Sequence, residues 1–291
     1  KMDNLKILVT GGAGFVGSNL IKILKKEYPD AFIVSLDNYF TGKTQNHQLG
    51  IEYINGHTMD AREIFKNRSF DIVFHFGEYS RIIKSFDDIK IVVDSILVGT
   101  PRILELCREW GAKLIYSASS SKFGNEGKDE NLSPYSWAKS KMVELIKNYG
   151  EWFELDYEIC YFFNVYGPGQ ISEGPYATVV GIFEKQFKAG KKCTIVKPGT
   201  QTRDFTHIDD IINGLIKACK RNDSKEWHLR SGVNISMFEL AEMFGNGYEL
   251  IDERRGERFS SEEFESDTNK SLDWFPKKSV KKWVEHIKVN L

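Results

Sequence analysis

A glycine-rich turn, an acidic residue 20 positions beyond it and a Tyr-Ser-Trp-Ala-Lys run carry the evident chemistry of this sequence. Thr10-Gly11-Gly12-Ala13-Gly14-Phe15-Val16-Gly17 follows the apolar run Lys6-Ile7-Leu8-Val9. It precedes a stretch with Phe15, Val16, Leu20, Ile23 and Leu24 at helical spacing. The turn reads as GxGxxG through Gly12, Gly14 and Gly17, and as GxxGxxG through Gly11, Gly14 and Gly17. Between a strand and a helix, such glycines permit a tight turn and let the backbone approach a pyrophosphate. The N–H groups that open the helix then face the phosphates. Asp37, at the end of the next apolar run, can accept both hydroxyls of an adenosine ribose and would repel a 2′-phosphate. The bland alternative is a structural turn with a surface aspartate.

Tyr135-Ser136-Trp137-Ala138-Lys139 sets a phenol and an ammonium at i and i+4, on one helix face. An ammonium beside a phenol favours the phenolate, which can then take a proton from a hydroxyl. Ser119, just past the apolar run Lys113–Ser117, can hydrogen-bond the same substrate oxygen. Alone, the YxxxK spacing usually marks a surface pair. Its weight here comes from following a dinucleotide-type loop and a serine-rich strand end, in that order.

These groups need a scaffold. Apolar runs at Lys6–Val9, Ala31–Leu36, Ile51–Ile54, Phe70–His75, Lys113–Ser117 and Tyr157–Phe162 read as six strands. Helices are expected over Phe15–Lys26, from Asp60 with a Glu63 capping box, from about Phe86 to Trp110, and from Ser133-Pro134 to about Phe153. The alternation predicts an α/β, Rossmann-type doubly wound parallel sheet, covered on both faces. Beyond Asn164 the pattern loosens into short helices at Val179–Ala189, Ile208–Cys219 and Met237–Phe244. Residues 1–165 are therefore expected to form the dinucleotide-binding domain. Residues 166–291 would form mainly a smaller C-terminal substrate-binding lobe, with room for the chain to cross back. The basic stretch Lys277–Lys282 reads as the solvated face of a C-terminal helix.

Lys+Arg 40 against Asp+Glu 41 leaves a formal net charge of -1, which provides no electrostatic footprint for nucleic acid or an anionic membrane. At 291 residues, 41% hydrophobic and 28% charged, the chain can bury a sizeable core and lies outside the disordered range. Cys107, Cys160, Cys193 and Cys219 lie far apart, with no CxxC pair and no His at metal-ligand spacing. That is the pattern of isolated thiols in a reducing compartment. No window reaches the roughly 18 apolar residues of a spanning helix, and the opening apolar run is too short for a signal-peptide core. A cytoplasmic protein with a small-molecule partner and no metal is expected.

Taken together, Thr10–Gly17, the Ser-x-x-x-Phe-Gly stretch Ser119–Gly124, Tyr135–Lys139, Phe163–Pro168 and Arg203-Asp204-Phe205-Thr206-His207-Ile208-Asp209-Asp210 carry a family likeness. They resemble, in order, the extended short-chain dehydrogenase/reductases of the nucleotide-sugar epimerase/dehydratase group. The resemblance spans Lys6 to Trp283. It implies NAD as cofactor, held by Gly11, Gly14, Phe15, Val16 and Gly17 at the pyrophosphate and by Asp37 at the adenosine ribose. Asn38, Phe76 and Gly77 are implied along the same cofactor. Tyr135 is implied as the base at the sugar hydroxyl, Lys139 at the nicotinamide ribose, and Ser119 as their assistant. Glu78, Ser120, Lys122, Asn164 and Arg203 are implied at a nucleotide-sugar, with Arg254 or Arg255 on its diphosphate. A homodimer through the Phe86–Trp110 and Pro134–Phe153 helices is implied as well. Ile89, Val92, Val93, Leu97, Met142, Val143, Leu145 and Ile146 offer it more apolar surface than one core face needs.

Several positions depart from the family pattern. Gly56-His57 stands where a Gly-Asp pair usually meets adenine, and Ile96 replaces a common Asn. Gly77-Glu78 occupies a pair of small positions, placing a carboxylate near the nicotinamide. A buried Glu is costly without a partner, so Glu78 is either catalytic or salt-bridged. The Thr-Asp-Glu of the usual 4,6-dehydratase reads Ser119-Ser120-Ser121 here, followed by Lys122. With that acid and base missing, a 4-epimerase working through a transient 4-keto sugar is expected. The alternative is a 4,6-dehydratase. Ser119–Gly124, Gly77–Arg81 and Pro198–Gln201 are similar to bacterial GDP-N-acetylglucosamine 4,6-dehydratases, and Glu78 or Lys122 would then replace the missing groups. A dinucleotide-binding protein without catalysis is more distant, because such proteins lose the Tyr or the Lys.

Overall fold

The computed structural model describes residues 4–123, 128–258 and 266–291. Gly124, the end of the serine-rich motif, lies outside the described residues. Strands β1 (Lys6–Thr10), β2 (Phe32–Asp37), β3 (Glu52–Asn55), β4 (Ile72–His75), β5 (Lys113–Ser119) and β6 (Tyr157–Phe162) fall where the apolar runs placed them, give or take two residues. They are followed by β7 (Asn164–Tyr166), β8 (Cys193–Val196), β9 (Thr202–His207), β10 (Glu226–Leu229), β11 (Asn234–Ser236) and β12 (Tyr248–Ile251).

Seven strands form one sheet in the order β10-β6-β5-β4-β1-β2-β3, every pair parallel. Ile7, Leu8 and Val9 are fully buried because helices cover both faces of β1. On one face, Thr100–Trp110 and Pro134–Phe153 pack Ile103, Leu104, Val143 and Ile146 against Leu8, Val73 and Leu114. On the other, Phe15–Glu27 and Ile208–Cys219 pack Leu20, Leu24, Ile211 and Leu215 against Ile7, Val9 and Ile115. The order reverses between β1 and β4, which opens a crevice at their carboxyl ends. A separate core of Phe183, Ile195, Leu240, Phe244 and Val284 holds the smaller lobe.

Residues 166–291 do not form one unit. β10 joins the main sheet beside β6, and Ile208–Cys219 covers that sheet. The fully buried Glu158 secures the return: its carboxylate accepts from the N–H groups of Asp223 (3.0 Å), Ser224 and Lys225 and from the Trp227 indole (2.7 Å).

Three local expectations need correction. The Asp60–Glu63 capping box does not form. His57 Nδ1 already accepts from Met59 N and starts a turn over Thr58–Asp60, so Asp60 lacks the extended backbone of an N-cap. The long helix from Phe86 is divided into a short turn at Ile83–Phe86, a helix at Ile89–Val92, wide π-type turns at Val93–Gly99 and a helix at Thr100–Trp110. Pro101 has no N–H to offer the preceding turn, and the winding loosens ahead of it. Lys277 and Lys278 precede the last helix, Val280–Val289, and their N–H groups bind Asp210. Ser133 does cap Pro134–Phe153, accepting from Ser136 N at 3.0 Å. All four cysteines are buried and free. No helix of the described residues is long and apolar enough to cross a membrane.

Candidate functional site

A cleft of about 790 Å³ runs along the carboxyl ends of the central strands and reaches into the smaller lobe. Gly11 follows β1 with φ +71°, and a Cβ there would meet the Phe76 carbonyl at 2.9 Å. A Cβ at Gly17 would collide with the Gly11 carbonyl, so the helix packs onto the turn only because that side chain is missing. Gly14 opens the helix Phe15–Glu27 with no side chain capping it, and its Cβ position meets nothing nearer than Gly11 O at 3.3 Å. The first N–H groups of the helix therefore remain for an anion. Phe15, Val16, Phe76 and Gly77 line the cleft beside them.

Asp37, at the end of β2, accepts from Ala13 N (3.0 Å) and Tyr39 N (2.8 Å). Burial raises its carboxyl above the usual range, and those two N–H groups offset part of the effect. Asn38 lines the cleft, but its Oδ1 accepts from Phe40 N. His57 lines the cleft too, occupied by its own turn.

At the other end, Tyr135, Lys139 and Ser119 all reach the lining. Ser119 Oγ lies 2.8 Å from Ser121 Oγ, and Ser120 is buried next to it at the wall. Lys139 is not a free ammonium. It donates to Glu78 Oε1 at 2.5 Å and to the Ser117 carbonyl, and lies 4.5 Å from the centre of the Tyr116 ring. Glu78 Oε2 accepts from Thr100 Oγ1 (2.5 Å) and Tyr116 OH (3.0 Å). Glu78 lines the cleft and takes the salt-bridge reading, both of its oxygens being engaged by protein groups.

Asn164, Arg203 and Arg254 line the lobe end. Arg203 Nη2 donates to Glu257 Oε1 at 2.8 Å. Two expected residues are absent from the lining. Lys122 turns to the rings of Phe123 and Tyr161, about 6 Å away, and Arg255 stacks 4.1 Å from the centre of Phe86. Arg258 lines the cleft where Arg255 does not. It is buried at the cleft wall, its Nε has no hydrogen-bond partner among the described residues, and burial pulls the guanidinium down to about 10. The clue available beforehand was the run Arg254-Arg255-Gly256-Glu257-Arg258, of which only the first two arginines were singled out.

A dinucleotide turn, a ribose carboxylate and a Ser/Tyr/Lys set in one cleft suit oxidation and reduction of a bound alcohol. The model of the NAD dependent epimerase/dehydratase family matches residues 7–230. The chain belongs to that family. Among known relatives of this family member, a UDP-glucuronic acid decarboxylase of Arabidopsis thaliana is 30% identical over 82% of this chain and 73% of its own. A dTDP-D-glucose 4,6-dehydratase of Dictyostelium discoideum is 29% identical over 83% of this chain and 62% of its own. The solved UDP-glucuronic acid 4-epimerase of Bacillus cereus, in complex with UDP-glucuronic acid and NAD, superposes with a TM-score of 0.86. It is 26% identical and covers 99% of this chain and 100% of its own.

The cofactor of this family member is NAD, and the residues present fit it. Gly14 lines the cleft and puts no side chain in the way of a pyrophosphate, and Asp37 stands at the end of β2 with a non-basic residue, Asn38, after it. Among the described residues, no group of three or more His, Cys, Asp or Glu side chains is arranged to hold a metal ion.

Proposed function

We propose that this enzyme is a nucleotide-sugar 4-epimerase acting through a transient 4-keto sugar. One observation supports epimerisation over 4,6-elimination. The three carboxylates lining the cleft among the described residues are each committed elsewhere: Asp37 at the nucleotide end, Glu78 to Lys139, and Glu257 to Arg203. Elimination needs an acid to protonate the leaving C6 hydroxyl and a base at C5. Ser119, Ser120 and Ser121 are poor at both.

Tyr135 takes the proton of the sugar C4 hydroxyl and later returns it. Lys139, one helical turn on, favours the phenolate, and the Ser119 hydroxyl holds the same oxygen. When bound, NAD supplies reversible two-electron oxidation at C4. Asn164, Arg203, Arg254 and Arg258 hold the nucleotide diphosphate, so that the keto sugar can turn over within the cleft without leaving.

The test is NMR of a panel of UDP-, GDP- and dTDP-sugars in D₂O. The expected product is an isomer of unchanged mass. A growing methyl signal with deuterium at C5 belongs to a 4-keto-6-deoxy sugar and would install the dehydratase reading instead. The same proposal includes a homodimer, supported by the exposed Ile89, Val93 and Trp137 on neighbouring helices. Val92, Met142, Val143 and Ile146 are committed to the chain's own core and lend it nothing. Light scattering at micromolar concentration should give twice the chain mass, and a monomer would refute it. Four reduced thiols and a nucleotide-sugar substrate suit the cytoplasm.

A further inference from the structure

We propose that Glu78 is a positioning residue for Lys139, keeping the buried ammonium charged and fixed on the helix face that it shares with Tyr135. The inference rests on Tyr135 and Lys139 being the proton-transfer pair. The two partners are almost completely enclosed, with side chains 2% and 6% exposed and 2.5 Å between Oε1 and Nζ.

A hydrogen-bond chain of set direction leads to Oε2, the other oxygen of Glu78. Thr10 Oγ1 accepts from the N–H groups of Phe76 (3.1 Å) and Gly77 (2.9 Å), so its own proton goes to His75 Nδ1, 2.6 Å away. Burial pulls His75 down to about 4, which leaves the ring neutral. With Nδ1 accepting, the one ring proton sits on Nε2 and is donated to Thr100 Oγ1 at 2.7 Å. Thr100 then donates to Glu78 Oε2, as Tyr116 does. Oε2 thus meets two donors and acts only as an acceptor, which leaves Oε1, 2.5 Å from Nζ, to face the lysine. The chain starts at Thr10, next to the phosphate turn, and ends at the lysine.

The charged and titratable groups in contact with Lys139 are Glu78 from the turn after β4 and Tyr116 from β5, with His75 behind Glu78 and Tyr135 one turn earlier on the same helix. Glu78 is the one carboxylate among them in the described residues. Without it, Lys139 is an enclosed cation with no counter-charge, and burial favours the neutral amine. A neutral amine no longer supports the phenolate.

The experiment uses ¹³C-lysine-labelled protein loaded with NAD, with Lys139 assigned as the signal that Lys139→Arg removes. At about pH 9 the wild-type side chain should keep its proton to a greater extent than that of Glu78→Gln, whose buried amine has lost its counter-charge. The alkaline limb of kcat/KM moves toward neutrality by about 1 pH unit or more. A Lys139 signal equally charged at that pH in both proteins would overturn the proposal. Should Glu78→Gln fail to fold, Glu78→Asp withdraws the carboxylate by one methylene and should give an intermediate displacement in the same spectrum. A purely structural glutamate would lower stability without moving either titration. The NMR readout needs no turnover, so a failed epimerase assay leaves it intact. Conversely, C4 epimerisation with an unmoved Lys139 signal sinks this inference alone.

Discussion

Arg203 and Glu257 stand 54 positions apart in the chain and 2.8 Å apart in space. Their ion pair fastens the segment after β12 to β9 and carries Arg258 to the cleft wall, where its Nε has no partner among the described residues. A buried donor of this kind is expensive unless something binds it.

Arg258→Met should therefore weaken substrate more than it slows chemistry. Loss of a charge-assisted bond to a phosphate costs about 1.5–3 kcal/mol, which is about 10- to 100-fold in KM. Steady-state kinetics with the active nucleotide-sugar checks this, and an unchanged KM removes Arg258 from the site.

Tyr135→Phe keeps the ring and deletes the proton acceptor. Turnover should drop about 10²- to 10⁴-fold while NAD affinity, read by calorimetry, stays close to wild type. Lys139→Ala should reduce both. Near-normal turnover by the Phe variant would mean that another group is the base.

NAD should bind more tightly than NADP, and Asp37→Ser should erase most of the difference, because the carboxylate is what a 2′-phosphate meets. Burial raises the Asp37 carboxyl, so NAD affinity should begin to fall on acidification at a higher pH than an exposed aspartate would dictate. Fluorescence titration across pH reads both effects.

Acid should destabilise the fold early. Burial lowers His75 and His228 from 6.5 to about 4. Between those values the unfolded chain binds more protons than the folded one, so stability is fully present above pH 6.5 and is lost as pH falls toward about 4. Each ring contributes at most about 1.4 kcal/mol per pH unit in that window. Urea unfolding at pH 7, 6 and 5 should show a falling midpoint, and His75→Asn should flatten the trend. A midpoint constant over that range contradicts the buried neutral rings.

Glu158→Gln should destabilise the fold by about 3 kcal/mol, because four donors lose a charged acceptor and one of them faces an amide N–H. Chemical denaturation measures it. Activity at low temperature should survive, since Glu158 lies outside the cleft lining.

Short-range features of this protein can be read from residue order. Buried strands announce themselves as apolar runs. Gly11 is dictated by a positive φ and Gly17 by helix-on-turn contact, and Ser133-Pro134 carries its own local cap and first helical residue. The ribose carboxylate and the Tyr135/Lys139 pair were legible for the same reason, because each depends on spacing within one or two adjacent elements. The remaining features depend on contacts between distant parts of the chain. Glu78 could be catalyst or ion pair until Lys139, 61 residues later, was brought to 2.5 Å. Lys122 and Arg255 face away from the cleft because Tyr161 and Phe86 take their charges onto ring faces. The return of β10 depends on Glu158 meeting the N–H groups of a turn 65 residues on. A local pattern records which face of an element is apolar, but a buried charge is specified by its partner, and the partner is chosen by the fold.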